Sequence, residues 1–439
     1  MHLSRSIVLG HVGCLLAGVA SAQPPAPRPV VAWAAGPMEA RVAFDRAVDP
    51  ALAARVVGGT IAFGEGPKPG RAGRPEGDRG TIRIAAARLV DDGRTLSLVT
   101  DPHPRATTYR LALPALKAAG APGPGSPAEV AYDLGGVEVS WAEGEGTKPA
   151  WSGWWPVVDP GDARKLAAGS AEHDRLWPLT SKPGRLTLRT QVARASASVT
   201  LDLDAFAPFE ATFGDETTRS ASSSPDAHRA TLKAEAAGEP VELSLAIRAG
   251  DAGVSKVRVS DAQGPLPRAA FLLPWAPATP PPAPETTIPA EFRAGGDPAR
   301  GEAAFYSEAA KCSACHMVRG KGGVIGPDLS DLAGRDRAWV YQNIVEPSAS
   351  IHPAYVSYTV AMKDGQVAMG VVRAEGADAL KVGAIDGKQS TFPRAEVEEI
   401  RPSTSSIMPV GLLGGIGEEQ ARDLLAFLTN PRPPAAPGR

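Results

Sequence analysis

The sequence predicts a multidomain fold: two all-β, sandwich-like domains over residues 30–134 and 135–275, then an all-α domain over 296–430 carrying a small β insertion at about 354–401. Three observations carry this expectation. Apolar and polar residues alternate in short runs from residue 30 to residue 275, the period of strands with one buried face. A proline-dense stretch, Pro274 to Pro289 with Pro280, Pro281 and Pro282 in succession, then interrupts the pattern. Beyond it, a capped helix start at Asp297-Pro298 and an apolar stripe at Ala421, Leu424, Leu425 and Leu428 mark helices.

The chain has 439 residues, 43% of them hydrophobic, enough for two to four domains with cores of their own. A net charge of -2 gives no basic surface for a polyanion, so no nucleic-acid partner is expected. The 47 Gly and 43 Pro beside 5% aromatics favour turn-rich β structure, and three Cys exclude a disulfide framework. Residues 1–22 read as a signal peptide, with Arg5, an apolar run from Ile7 to Val19, and Ala20-Ser21-Ala22 before the cleavage point. Cys14 would leave with it. A lipid anchor at Cys14 fits poorly, because His11 stands where an apolar residue is expected and the apolar run continues past the cysteine. No other stretch of about twenty apolar residues occurs, so no membrane span is expected after cleavage. The expected location is the periplasm or cell surface.

In the first β region the strands are read at Arg41–Phe44, Thr60–Phe63, Ile82–Ile84, Leu96–Leu98 and Tyr109–Leu113, with a hairpin turn at Asp92-Gly93 and a long exposed loop from Pro67 to Gly80. The order Val-x-Phe, Val-Asp, Asp-Gly-x-x-Leu and Tyr-x-Leu resembles bacterial Ig-like domains, which serve as spacers and imply no chemistry. Residues 135–275 concentrate tryptophan at Trp141, Trp151, Trp154, Trp155 and Trp177. Such a group serves either sandwich packing or a carbohydrate-stacking platform; packing is the commoner use. Further strands fall at Leu186–Leu188, Val199–Leu203, Val241–Leu245 and Val257–Val259. Asp202, Asp204, Glu210, Asp215 and Glu216 lack the Asp-x-Asp-x-Asp-Gly spacing of a calcium loop and read as a solvated face.

Residues 276–295 form the Pro-rich linker, a stiff extended spacer that lets the last domain sit at an adjustable distance from the rest. That domain opens with Asp297 as N-cap and Pro298 at the first helical position, and its helix runs through Gly301 and Phe305. Trp339 to Val345 gives another helix, ended by Pro347, and Glu418 to Leu428 closes the domain with Ala421, Leu424, Leu425 and Leu428 on one stripe. Between them lie strand runs at Val356–Met362, Val367–Arg373, Leu380–Ala384, Ser390–Phe392 and Val397–Ile400, with Asp364-Gly365 and Asp386-Gly387 as turns.

Cys312-Ser313-Ala314-Cys315-His316 is the spacing of covalent c-type haem attachment. Two intervening residues let both sulfurs reach one porphyrin edge, and the next residue folds beneath the ring as the proximal iron ligand. A redox dithiol, a disulfide or half a zinc site also pairs cysteines, but no second Cys pair, His cluster or thioredoxin-like βαβ pattern accompanies this one. One covalent haem c is the expected cofactor.

Gly326-Pro327-Asp328-Leu329 and Ser406-Ile407-Met408-Pro409 resemble the proximal loop and the methionine loop of small c-type cytochromes. The resemblance implies a cytochrome c domain with Pro327 and Leu329 packing on the haem, Met408 as sixth ligand, and first and last helices crossing at Gly301, Phe305 and Phe427. The other methionines fit that role less well: Met317 adjoins His316, and Met362 and Met369 lie in strand pattern. His352 is a further candidate ligand that reads better as a loop residue. The interval from His316 to Met408 is longer than a compact one-haem domain needs. With its β insertion, Ile344 and Pro347, Tyr355, Ser406–Leu412 and Asp423–Leu428, residues 296–430 resemble a haem-binding domain recurrent in secreted proteins of planctomycetes and verrucomicrobia.

Two axial ligands leave iron no open position, so the function expected is single-electron transfer rather than catalysis. Val324, Ile325, Leu329, Leu332, Leu412 and Leu413 are expected to bury the site and raise its potential. The partners expected are a redox donor and acceptor, among them a periplasmic dehydrogenase. The alternatives are a haem enzyme or sensor with a labile sixth site, and a surface or carbohydrate-binding protein, through residues 135–275, with an electron-transfer module. No Ser/His/Asp order, phosphate loop or zinc pattern marks a second active site.

Overall fold

The computed structural model describes residues 26–64, 79–146, 148–193, 198–224, 227–236, 239–251, 253–277 and 287–430. The signal-peptide reading, most of the Pro67–Gly80 loop and residues 278–286 of the linker lie outside them.

The first β region is one seven-stranded antiparallel sheet in the order Pro29–Gly36, Glu39–Phe44, Thr95–Thr100, Gly80–Val90, Thr60–Phe63, Tyr109–Leu116 and Ser126–Tyr132. Alternation puts Val42, Phe44, Leu96, Leu98, Ile61, Ile84 and Tyr109 into one core, closed by Leu52 of the helix Ala51–Val56. The turn at Asp92-Gly93 forms where expected: Asp91, Asp92 and Gly93 all take positive φ, a conformation Asp tolerates and Gly adopts freely.

Residues 137–272 form two antiparallel sheets packed face to face. One runs Glu216–Arg219, Phe209–Phe213, Val241–Ala249, Gly184–Val192, Val137–Glu143 and Trp151–Trp155; the other Ala221–Ser224, Ala227–Glu235, Ser198–Ala205, Val257–Asp261 and Gly264–Pro265. Their inner faces share Trp141, Trp155, Leu186, Leu188, Leu201, Leu203, Leu245 and Ile247. Trp141, Trp154, Trp155 and Trp177 are buried, so those four rings have no open face for stacking; Trp151 is half-buried.

The two β regions are joined by shared packing and polar contacts. Trp154 packs into the first core and stacks on Trp33 at 5.8 Å, and the returning chain buries Leu273, Trp275 and Ala276 in the same core. Arg41 pairs with buried Glu172 at 2.6 Å, and buried His173 sits between Ser170 Oγ and the Trp154 carbonyl at 2.8 and 2.7 Å.

The expectation of an all-α final domain is corrected. Of the described residues 42% are in strands and 19% in helices, and the region after residue 296 is not a clear all-α unit. Its helices, Pro298–Phe305, Cys312–Cys315, Arg337–Val345, Leu412–Ile416 and Glu418–Thr429, are short. Beside them stands a five-stranded antiparallel sheet ordered Gln389–Pro393, Ala379–Gly383, Val367–Glu375, Ser357–Met362 and Val397–Pro402. The β-branched and aromatic runs with Asp-Gly turns complete a sheet that buries its own side chains, Tyr358, Val360, Met362, Val372, Leu380, Val382 and Ile400, rather than an appendage to a helical bundle.

That sheet core continues into the first β region. Met38 is buried in it, and Ala85 and Val99 pack against it. Polar bonds follow the apolar contact: Ala374 N–H donates to Asp101 Oδ1 at 2.8 Å, Arg83 donates to the Ala374 carbonyl, and Tyr358 O–H donates to the His103 carbonyl at 3.4 Å. The adjustable spacing expected from the proline stretch is therefore not what is seen. A sheet with an apolar outer face must cover it, and here the first β region does so.

Candidate haem site

The Cys-x-x-Cys-His segment is a single helical turn with a defined entrance and exit. Lys311 enters in the left-handed region at φ 55, Cys312 to Cys315 form the turn, and the His316 N–H closes on the Cys312 carbonyl at 2.9 Å. His316 itself is extended, at φ -106 and ψ 144, which turns its ring away from the helix axis. The following loop then wraps the turn. Gly323 N–H donates to Ser313 O, Gly326 N–H to Cys315 O and Leu329 N–H to Met317 O, each at 2.8 Å.

This wrapping requires glycine at 323 and 326. A Cβ on Gly323 would lie 2.1 Å from the Ala314 carbonyl oxygen, and one on Gly326 would lie 2.7 Å from Cε1 of His316. The imidazole therefore rests directly on bare backbone. Its Nδ1 is 2.9 Å from the Pro327 carbonyl. A carbonyl only accepts, so Nδ1 carries the proton and Nε2 is the bare nitrogen, as a metal-ligating imidazole oriented from behind requires. Burial lowers the basicity of His316, with the Pro327 bond opposing, so the ring is neutral and ligand-competent at neutral pH.

The cysteines are both free in this structure and half-buried. Burial pushes the Cys312 thiol up to about 11, and burial together with the Asp386 charge raises Cys315. Neither is the depressed thiolate of a dithiol exchanger or a preformed zinc site. Among the described residues no group of three or more His, Cys, Asp or Glu side chains gathers to hold a metal ion. The residues present fit covalent haem: two neutral thiols on one turn, one oriented imidazole, and a glycine cradle beneath it.

The apolar wall comes from the helices. Phe305, Val318, Val340, Leu413, Leu424, Leu425 and Phe427 are buried together, with Cys312, Leu329 and Leu332 packed against them. Helices Pro298–Phe305 and Glu418–Thr429 cross at Gly301, where a Cβ would meet the Asp423 carbonyl at 2.0 Å, and Phe305 meets Phe427 at 5.8 Å. Asp423 ties the crossing, accepting from Arg300 at 2.7 and 3.2 Å and from the Asp297 N–H at 2.6 Å; the Arg300 bond first, then the Asp297 bond, holds its carboxyl below the usual range. Of the expected walls, Ile325 and Leu413 are buried but Val324 is 63% exposed, and Ile325 packs under Gly383 of the sheet.

Met408 is half-buried in the loop between Val397–Pro402 and Leu412–Ile416. Its N–H donates to Ser406 Oγ at 3.1 Å. The loop hangs from neighbouring segments: Ser403 N–H donates to Ser357 O at 2.8 Å, Ser357 Oγ to Ser405 O at 2.7 Å, and Ser406 N–H to Ser348 Oγ at 3.0 Å. Leu413, just beyond, joins the cluster that contains Leu329 and Cys312. His352 caps the short turn Pro353–Tyr355, its Nδ1 accepting from Ala354 N–H at 3.2 Å. Pro327, expected to pack on haem, also supplies the carbonyl that orients His316. Sequence reasoning missed Ser348 and Ser357, which hold the Met408 loop. Nothing local to either serine signals a partner about fifty residues away.

Among solved structures, an anti-sigma factor domain-containing protein shares 10% identity over 56% of this chain and 92% of its own, at TM-score 0.26. An anti-sigma factor domain-containing protein from Clostridium clariflavum shares 10% over 54% and 84%, at TM-score 0.24. No curated protein matches the chain. Residues 298–382 match the Cytochrome c family, which supports a haem-binding electron carrier with haem c as cofactor in this part of the chain.

Proposed function

We propose that the chain is an exported monohaem c-type cytochrome carrying single electrons between periplasmic redox partners. Cys312 and Cys315 form the thioethers, and His316 and Met408 are the axial ligands. The observation that carries this reading is the His316 ring, held at Nδ1 by the Pro327 carbonyl and resting on Gly326, inside the segment similar to cytochromes c. When bound, the haem supplies a one-electron couple whose potential follows its axial ligands and burial.

The chain's own residues do the rest. The Cys312–Cys315 turn sets the position, Pro327 and Gly326 fix the angle of the imidazole, and Leu329, Leu332, Phe305 and Leu413 exclude water from that side. Export places the chain in the periplasm or at the cell surface, facing a donor such as a dehydrogenase. Among the described residues no helix is long and apolar enough to cross a membrane.

The test is the optical spectrum of protein exported from a host that matures c-type haem, oxidised and reduced, with and without carbon monoxide. Sharp low-spin reduced bands, a methionine-to-ferric charge-transfer band lost in Met408→Ala, and no response to carbon monoxide are expected. A high-spin spectrum that shifts with carbon monoxide would overturn Met408 as a stable ligand and favour haem catalysis or gas sensing.

A further inference from the structure

The bonds that hold the Met408 loop lead out of the C-terminal domain. Ser406 accepts from Met408 N–H and donates its own N–H to Ser348 Oγ. Ser348 lies within the turn that precedes Ile351, and the Ile351 carbonyl accepts from the Arg105 guanidinium of the first β region at 2.9 Å. Arg105 is itself held from behind, its N–H and carbonyl both bonded to the hydroxyl of Tyr109, a fully buried side chain, at 3.3 and 2.7 Å. A charged donor on a rigid support thus fixes the segment from which the methionine loop hangs.

A cavity of about 220 Å³ opens at the junction, lined by Arg105, Pro274, Ser348, Ile351, Ser403 and Thr404. On that side Ser403 and Thr404 face open space, and the bonds from Ser357 to Ser405 and from Ser406 to Ser348 tie the loop to its neighbours. A second grip steadies the interface nearby. The ladder between Ser357–Met362 and Val367–Glu375 ends at the Ser357 and Val371 pair, and beyond it Asp101 and Arg83 bond the main-chain N–H and carbonyl of Ala374.

We propose that Arg105 is a positioning residue for the sixth haem ligand, acting through the Ile351 carbonyl and Ser348 on the Met408 loop. The first β domain then sets how fully the iron's sixth position is occupied, beyond any role as a spacer. This rests on the reading of Met408 as that ligand.

The experiment compares full-length holoprotein as wild type, Arg105→Met, Arg105→Lys, Ser348→Ala, Arg401→Met and Met408→Ala. The readouts are haem per chain, the methionine-to-ferric charge-transfer band, and carbon monoxide binding to the ferrous form. At equal haem content, Arg105→Met and Ser348→Ala are expected to lose about half or more of the band and to bind carbon monoxide, with Arg105→Lys restoring part of it. Arg401→Met, which removes pairs with Glu242 and Glu399 at the edge of the same cavity but none of the bonds that tie the Met408 loop, should match wild type. A full band and no carbon monoxide binding in both Arg105→Met and Ser348→Ala, while Met408→Ala loses the band, would overturn the positioning role alone. A band that survives Met408→Ala would overturn the ligand reading, and the positioning role with it. Should Arg105→Met yield no holoprotein, Ser348→Ala, which leaves the β interface intact, decides.

Discussion

At the scale of single residues, the haem segment depends on atoms that are absent as much as on those present. Gly326 has no Cβ because the His316 ring occupies that place, 2.7 Å from where one would be. Gly326→Ala must push the imidazole off the Pro327 carbonyl. The expected outcome is a mixed-spin protein that binds carbon monoxide, with haem content per chain close to wild type because both thiols remain; pyridine haemochrome assay and a carbon monoxide difference spectrum check it. An unchanged low-spin spectrum would show that the cradle does not set the ring.

The helices and strands carry a second set of consequences. Helices Pro298–Phe305 and Glu418–Thr429 approach until the Gly301 backbone touches the Asp423 carbonyl, so Gly301→Ala cannot be absorbed by a rotamer change. Overpacking of this kind costs about 3 kcal/mol, the upper end of the usual range. A denaturant titration followed at the haem should show the midpoint falling, with the slope unchanged. The strand elements explain why the domain departs from an all-helical one: residues 357–402 supply five paired strands and most of the buried core around them.

Over the whole molecule, the C-terminal sheet and the first β region share a core through Met38. Met38→Ala should cost about 2–5 kcal/mol and move the unfolding of both regions, so tryptophan fluorescence and haem absorbance should shift together. A shift in one signal alone would show that the regions unfold separately. The same interface contains His103, fully buried between the Pro37 carbonyl and Tyr132 O–H at 2.9 Å each, with its own carbonyl bonded by Tyr358. Burial lowers its pKa to about 4, so between about pH 6.5 and pH 4 the unfolded chain binds a proton that the folded one excludes. The stability from neutral His103 is complete above that window and is lost as pH falls through it, on the order of 3 kcal/mol. Denaturant midpoints at pH 7 and pH 5 should differ less in His103→Gln than in wild type.

Local chemistry was written in the sequence wherever neighbours in the chain are neighbours in space. The Cys312–His316 spacing, the Asp297 and Pro298 helix start, the Asp92-Gly93 turn and the strand periods all act within a few residues, so composition and spacing determine them. Much that supports the site joins residues far apart in the chain. Arg105 reaches Ile351, Asp101 reaches Ala374, Ser348 reaches Ser406, and Met38 fills a core otherwise built from residues after 350. A hydrogen bond to a main-chain carbonyl leaves no mark on the acceptor's side chain, and an apolar face does not name what will cover it. The proline run therefore read as a free spacer, and the strand runs read as an insertion into an all-α domain. Sequence by itself determined the Cys-x-x-Cys-His motif and the turns around it; only the tertiary structure decided that Arg105 and Asp101 of the upstream β region bond the backbone of Ile351 and Ala374, because that support consists of long-range contacts to backbone and shared apolar surface.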